Sequence, residues 1–179
     1  MKKVKLMISL TVILAMIFMV VGCSSENKVD LGEDFLENAH TSVKEAYGED
    51  YVPQMPIEEE YLSEVYGIPM DLVKDYIAEG PMMSTHVDTF IGLEVEEGSV
   101  NEVADALKAY HTDLAENSMQ YPMNMAKVES AEVLVIEDYV FFLMLGGHND
   151  SEAPTEEEQL KFAQEQVQIA VKAIEGLVK

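Results

Sequence analysis

The chain has 179 residues, 34 of them acidic and 11 basic, giving a formal charge of −23 with 48% hydrophobic residues and one cysteine. That balance excludes nucleic-acid binding, which is driven by Lys and Arg neutralising phosphates, and it excludes electrostatic attachment to anionic lipid head groups. A single cysteine leaves no disulfide within the chain and no cysteine metal site.

Lys2, Lys3 and Lys5 precede an uncharged apolar run from Leu6 to Val21. A positive start, an apolar stretch and small residues before a cut describe a secretory signal peptide. Val20-Val21-Gly22-Cys23 resembles the lipobox of bacterial lipoproteins, in which the cysteine thiol receives a diacylglycerol and becomes the mature N-terminus. The competing reading is an uncleaved membrane anchor, since the run approaches the shortest spanning helices of roughly 17 residues. Polar Ser24-Ser25-Glu26-Asn27 and the absence of a following Lys/Arg cluster favour the lipoprotein. The expected organisation is therefore a signal peptide over 1–22, a lipidated Cys23 with a tether to residue 30, and one domain over 31–179. Cleavage before Cys23 removes three basic residues and leaves 8 against 34 acidic ones, a formal charge of −26. Two acyl chains suffice for stable anchoring, so lipid on Cys23 would hold the domain at the outer face of the cell membrane without help from charge.

Past the tether, Leu31, Phe35, Leu36, Ala39, Val43, Ala46 and Tyr47 recur at three and four, one face of a helix that Gly48 ends. Residues 49–56 hold two prolines and no period, which predicts a loop. Ile57, Tyr61, Leu62, Val65 and Tyr66 predict a second helix stopped by Gly67. Pro69, Leu72, Val73, Tyr76 and Ile77 predict a third, closed by Gly80-Pro81. Residues 85–96 alternate strictly and predict a strand, with Val87, Thr89, Ile91, Leu93 and Val95 inward. Ser99 and Glu102 have capping-box spacing before a helix that buries Val103, Ala104, Leu107, Tyr110, Leu114 and His111 and frays before Tyr121-Pro122. Residues 131–137 and 139–145 predict a hairpin, whose second strand is apolar on both faces and so central. Gly146 to Asp150 is a flexible exit. Thr155 and Glu158 then cap a last helix that buries Leu160, Ala163, Val167, Ala170, Val171, Ile174 and Leu177. The fold class is α+β. Its sheet is expected to have three strands in order 1-3-2, a split β-α-β followed by a hairpin, beneath a helical N-terminal part.

Three stretches resemble one known family: Gly80-Pro81-Met82-Met83-Ser84-Thr85-His86-Val87-Asp88-Thr89-Phe90-Ile91, Gln120-Tyr121-Pro122-Met123-Asn124, and residues 138–147 from Asp138-Tyr139-Val140 to Leu145-Gly146-Gly147. That family comprises lipoproteins of anaerobic Gram-positive bacteria carrying the domain of unknown function 4358. The resemblance runs from about Tyr47 to the last helix. It implies a lipoprotein signal and one small extracytoplasmic domain, and it implies no activity.

Candidate sites are few. His86 and Asp88 stand on the same face of a strand, where they could share a proton or a metal, but a zinc site would need His111 or His148 as well. Met82, Met83, Met119, Met123 and Met125 raise a Cu(I) site, against the commoner use of Met as adaptable packing. Glu58-Glu59-Glu60 and Glu156-Glu157-Glu158 suit first helical turns and lack the spacing of a calcium loop. No nucleophile elbow or phosphate loop occurs. The reading is a lipid-anchored, non-enzymatic domain that binds a protein, peptide or small ligand, with no cofactor and no resident metal. Its candidate ligand-binding residues are His86, Asp88, Tyr121 and Asn124. The alternative is a metal-binding protein or metal-dependent enzyme using His86 and Asp88.

Overall fold

A computed structural model describes Val29 and residues 31–178. The signal peptide, Cys23 and most of the tether lie outside the described residues. The elements are α1 (Phe35–Tyr47), β1 (Pro53–Pro56), α2 (Glu59–Glu64), β2 (Val73–Pro81), β3 (Thr89–Val95), α3 (Val100–Asn117), α4 (Pro122–Glu129), β4 (Glu132–Ile136), β5 (Tyr139–Met144) and α5 (Glu156–Glu175). Single 3-10 turns occupy Gly48–Asp50 and Met70–Leu72. Among the described residues no helix is long and apolar enough to cross a membrane.

The strands form one antiparallel sheet in the order β1-β2-β3-β5-β4. The fold is α+β, with five strands where three were expected. The part read correctly is β3-β5-β4: β5 lies between β3 and β4, and because both pairings are antiparallel, β3 and β4 run parallel through the α3–α4 crossover. Every residue of β5 is buried, as its unbroken apolar run requires. β3 is buried on both faces too, so Phe90 and Gly92 are core positions rather than a solvated side.

Two layers of helix cover the sheet. On one face α1 and α5 pack Leu36, Ala39, Val43, Val167, Ala170 and Ile174 against Phe90, Phe141 and Leu143. Gly92 is what lets α1 lie so close. A Cβ there would stand 2.8 Å from Leu36 Cδ1 and 3.0 Å from the Phe141 ring. On the other face α2, the turn after it and α3 place Leu62, Tyr66, Val103 and Leu107 over Ile91, Leu93, Val140 and Phe142.

Three segments depart from the expected elements. The third helix does not form: after the turn at Met70–Leu72 the chain enters β2. Tyr76 packs on the α2–α3 face and Ile77 on the α1–α5 face, so neighbours that would share a helical stripe are split by the pleat. An irregularity between Val73 and Asp75 breaks the alternation that would have revealed the strand. The predicted loop holds β1, whose Pro53 and Pro56 are tolerated because it is an edge strand. The third departure is α4, where Pro122 starts a helix instead of only ending the one before it. Ser99 precedes α3 with helical torsions (φ −96°, ψ −4°) and makes no side-chain cap, so that capping box is absent. The one at Thr155 is present in both directions: Glu158 N–H donates to Thr155 Oγ1 at 3.2 Å, and Thr155 N–H donates to Glu158 Oε2 at 2.9 Å.

Candidate functional site

The end of the sheet where β3 begins and β5 ends carries the polar residues that have no packing reason to be inside. Asp88 immediately precedes β3 and is 1% exposed; Lys127, in the last turn of α4, is 4% exposed. The Lys127 ammonium donates to Asp88 Oδ1 at 2.7 Å and to Oδ2 at 2.8 Å. An isolated buried charge would cost several kcal/mol, roughly, and the two charges answer each other here. His86 Nδ1 lies 3.7 Å from Asp88 Oδ2, beyond hydrogen-bonding distance.

The α4 helix also brings Asn124 inward. Its side-chain amide donates to the Thr85 carbonyl at 2.9 Å and thereby fixes the loop that carries His86. Asn124 Oδ1 is buried and has no hydrogen-bond partner among the described residues. His148 enters from the β5–α5 connection, its ring 6.2 Å from that of His86, and its Nε2 is likewise buried and unpartnered.

The connection is not a flexible tail at its start. Gly147 N–H donates to Gln166 Oε1 at 3.1 Å, and the Gln166 carbonyl accepts from the Tyr47 hydroxyl at 2.7 Å. The exit of β5 is thus tied to α5, and α5 to α1.

Two openings meet at this cluster. One, of about 480 Å³, lies between α4 and α5 and is lined by Met123, Ala126, Lys127, His148, Gln159 and Phe162, among others. The other, of about 240 Å³, opens past His86, Lys127 and Gly147 toward Glu49 and Asp50. Lys127 and His148 border both.

Of the four candidate residues, His86 lies 3.7 Å from Asp88 and borders the smaller opening, Asn124 reaches the Thr85 carbonyl, and neither Asp88 nor Asn124 lines either opening. Tyr121 is 57% exposed and contributes only its carbonyl, which accepts from Asn124 N–H at 2.8 Å. Lys127 was missed altogether, and its sole sequence signal was a basic residue amid an acidic chain. The metal reading fits poorly. Both Asp88 oxygens face the Lys127 ammonium, which stands where a cation would bind. His111 is elsewhere, its Nε2–H donating to the Val128 carbonyl at 2.7 Å. Among the described residues no group of three or more His, Cys, Asp or Glu side chains is placed to hold a metal. Met82, Met83, Met119, Met123 and Met125 are all exposed, between 48% and 102%.

A second polar cluster lies under α1. His40 Nε2 and the Tyr51 hydroxyl reach Glu79 Oε2 at 3.0 and 2.9 Å, and Lys44 Nζ is 3.9 Å from Oε1. Burial, reinforced by the Glu79 carboxylate, pushes the Tyr51 hydroxyl well above its ordinary value, so it stays a donor. This cluster joins α1 to β2.

Burial first, and the Lys127 charge second, hold the His148 imidazole below its ordinary value of 6.5. The unfolded chain therefore takes up this proton at higher pH than the folded one. The stabilisation from neutral His148 is complete above about 6.5 and is lost as pH falls toward the folded value. An NMR titration is expected to place His148 below 6.5 in the native chain and to move it upward in Lys127→Met. A native His148 at or above 6.5 would contradict that geometry.

A helix-covered antiparallel sheet with an open cleft lined by Lys127, one member of a buried ion pair, defines an α+β domain with a preformed cavity. The family model for a domain of unknown function (DUF4358) matches residues 46–145, more than half of the chain, and the protein belongs to that family. No curated protein and no solved structure matches the chain.

Proposed function

We propose that the protein is a lipid-anchored binding domain, held by Cys23 at the outer face of the cell membrane, that takes a small polar ligand in the cleft between α4 and α5. One observation carries the ligand reading: the 480 Å³ cleft is lined by Lys127 and by His148, whose buried Nε2 has no hydrogen-bond partner among the described residues. Binding clefts of about 300–1,000 Å³ combine apolar walls with a few placed polar groups, and this one has Phe162, Met123 and Pro122 beside His148 and Gln159. The chemistry suits an uncharged or zwitterionic ligand. Asp88 cancels Lys127 locally, and a chain this acidic repels free anions at a distance.

Binding is favoured over catalysis because the strongest polar groups are engaged with each other. The Lys127 ammonium is held between both Asp88 oxygens, at 2.7 and 2.8 Å, and that geometry leaves neither side chain directed at a ligand. The metal alternative on His86 and Asp88 is weaker for the same reason. The anchoring reading rests on Val20 to Cys23 and on family resemblance. With a formal charge of −26 after cleavage, the hold on the membrane comes from lipid on Cys23 rather than from attraction to charged lipid head groups.

The test is thermal unfolding of the full chain in detergent with free amino acids and dipeptides as probes. A probe at a hundredfold its dissociation constant adds about 2.7 kcal/mol. At least one is expected to stabilise the wild type and to have no effect on Ala126→Trp, which fills the cleft. Equal stabilisation of both proteins would remove the cleft from the account, and no stabilisation by any probe would remove the ligand class.

A further inference from the structure

A separate groove lies at the β1 edge of the sheet, on the face covered by α2 and α3. It encloses about 630 Å³, with Met55, Ile57, Tyr61, Tyr66 and Pro81 as its apolar lining and Glu58, Glu60 and Glu64 along its rim. Tyr66 is anchored in the core, whereas Tyr61 and Met55 are 53% and 50% exposed. The two tyrosine rings meet edge to face, 6.0 Å apart, and give the groove a rigid aromatic wall.

We propose that this groove receives a basic peptide segment of a partner protein, with an apolar side chain seated between Tyr61 and Met55 and flanking Lys or Arg residues on the glutamate rim. The charge selects the occupant. Glu60 and Glu64 are four apart on α2, Glu58 is its N-cap, and among the described residues no basic side chain pairs with any of them. A second copy of this chain would bring two acidic rims together, so self-association is disfavoured. Pro53 and Pro56 leave the outer edge of β1 poor in N–H donors. Side chains in the groove, rather than an added strand, therefore provide the hold. Lysine and arginine also interact favourably with tyrosine ring faces, which an acidic or neutral segment would not use.

The experiment is calorimetric titration of the full chain in detergent with a synthetic peptide of alternating lysine and leucine. Controls are a lysine–glycine peptide and a glutamate–leucine peptide. Saturable binding at one site is expected for the first alone. Tyr61→Ser, which changes no charge and alters an exposed side chain, is expected to weaken it about tenfold. Glu60→Lys/Glu64→Lys is expected to weaken it at least as much. Glu156→Lys/Glu157→Lys, the same charge change in the first turn of α5, is expected to alter it less than about threefold. Equal loss in both charge variants, or equal binding of the lysine–glycine peptide, would reduce the effect to net charge and overturn the proposal. So would binding of the glutamate–leucine peptide, or a Tyr61→Ser protein that binds as the wild type does. None of these outcomes depends on the α4–α5 cleft.

Discussion

Lys127→Met is expected to lower the free energy of unfolding by about 3–5 kcal/mol, read from urea denaturation with an unchanged slope. The size follows from what remains: among the described residues Asp88, 1% exposed, would keep only the His86 ring, 3.7 Å from its Oδ2. Asp88→Val alone should cost about as much, because Lys127 is 4% exposed and among the described residues its ammonium pairs with Asp88 alone. The double variant separates this account from a simple count of contacts. With both charges gone and the volume largely kept, stability should return to within about 1–2 kcal/mol of wild type or exceed it. An exposed pair would show less than about 1 kcal/mol in every variant. A double variant as unstable as the sum of the singles would mean that the pair holds the fold through packing rather than charge.

Gly146→Ala is expected to cost about 2–4 kcal/mol and to disturb the cleft from the opposite side. Gly146 adopts φ +131°, a conformation that side-chain-bearing residues rarely take, so strain arises before any contact is counted. A Cβ there would also run into the Gln166 side chain of α5. Relieving that clash moves Gln166, which holds Gly147 N–H and, through its carbonyl, Tyr47. The positions of His148 and α5 are therefore expected to shift together. Gly147→Ala is the control: its Cβ would meet only Gln166 Oε1, at 3.7 Å. The difference between the two variants in thermal unfolding measures what the close approach at Gly146 contributes.

The α1 and α5 helices were legible because their apolar residues keep a helical period and face a single core. The β4–β5 hairpin was legible because an all-apolar strand has few places to go, and the placement of β5 between β3 and β4 followed from that. What misled is local in each case. Val73, Tyr76 and Ile77 keep helical spacing by accident of an irregular strand start, and only the pairing with β3 reveals that they belong to β2. β1 hides behind two prolines that an edge can tolerate. The α4 helix is the instructive failure, because its inward side carries Asn124 and Lys127 as well as Val128. A search for apolar periodicity passes over a helix whose purpose is to bury polar groups. The same fact made the site half legible. His86-Val87-Asp88 and Asn124 stood out as residue types, but the cation that completes them was an ordinary lysine until the crossover brought it 39 positions back to Asp88.

One native mass spectrum of the full chain, extracted from membranes in mild detergent, reads both the anchor at Cys23 and a ligand in the α4–α5 cleft. The expected spectrum shows a chain beginning at Cys23, carrying a diacylglycerol, with a noncovalent small-molecule adduct that is missing from Ala126→Trp. A chain retaining its first 22 residues without lipid, or an adduct that persists in Ala126→Trp, would contradict the proposed function.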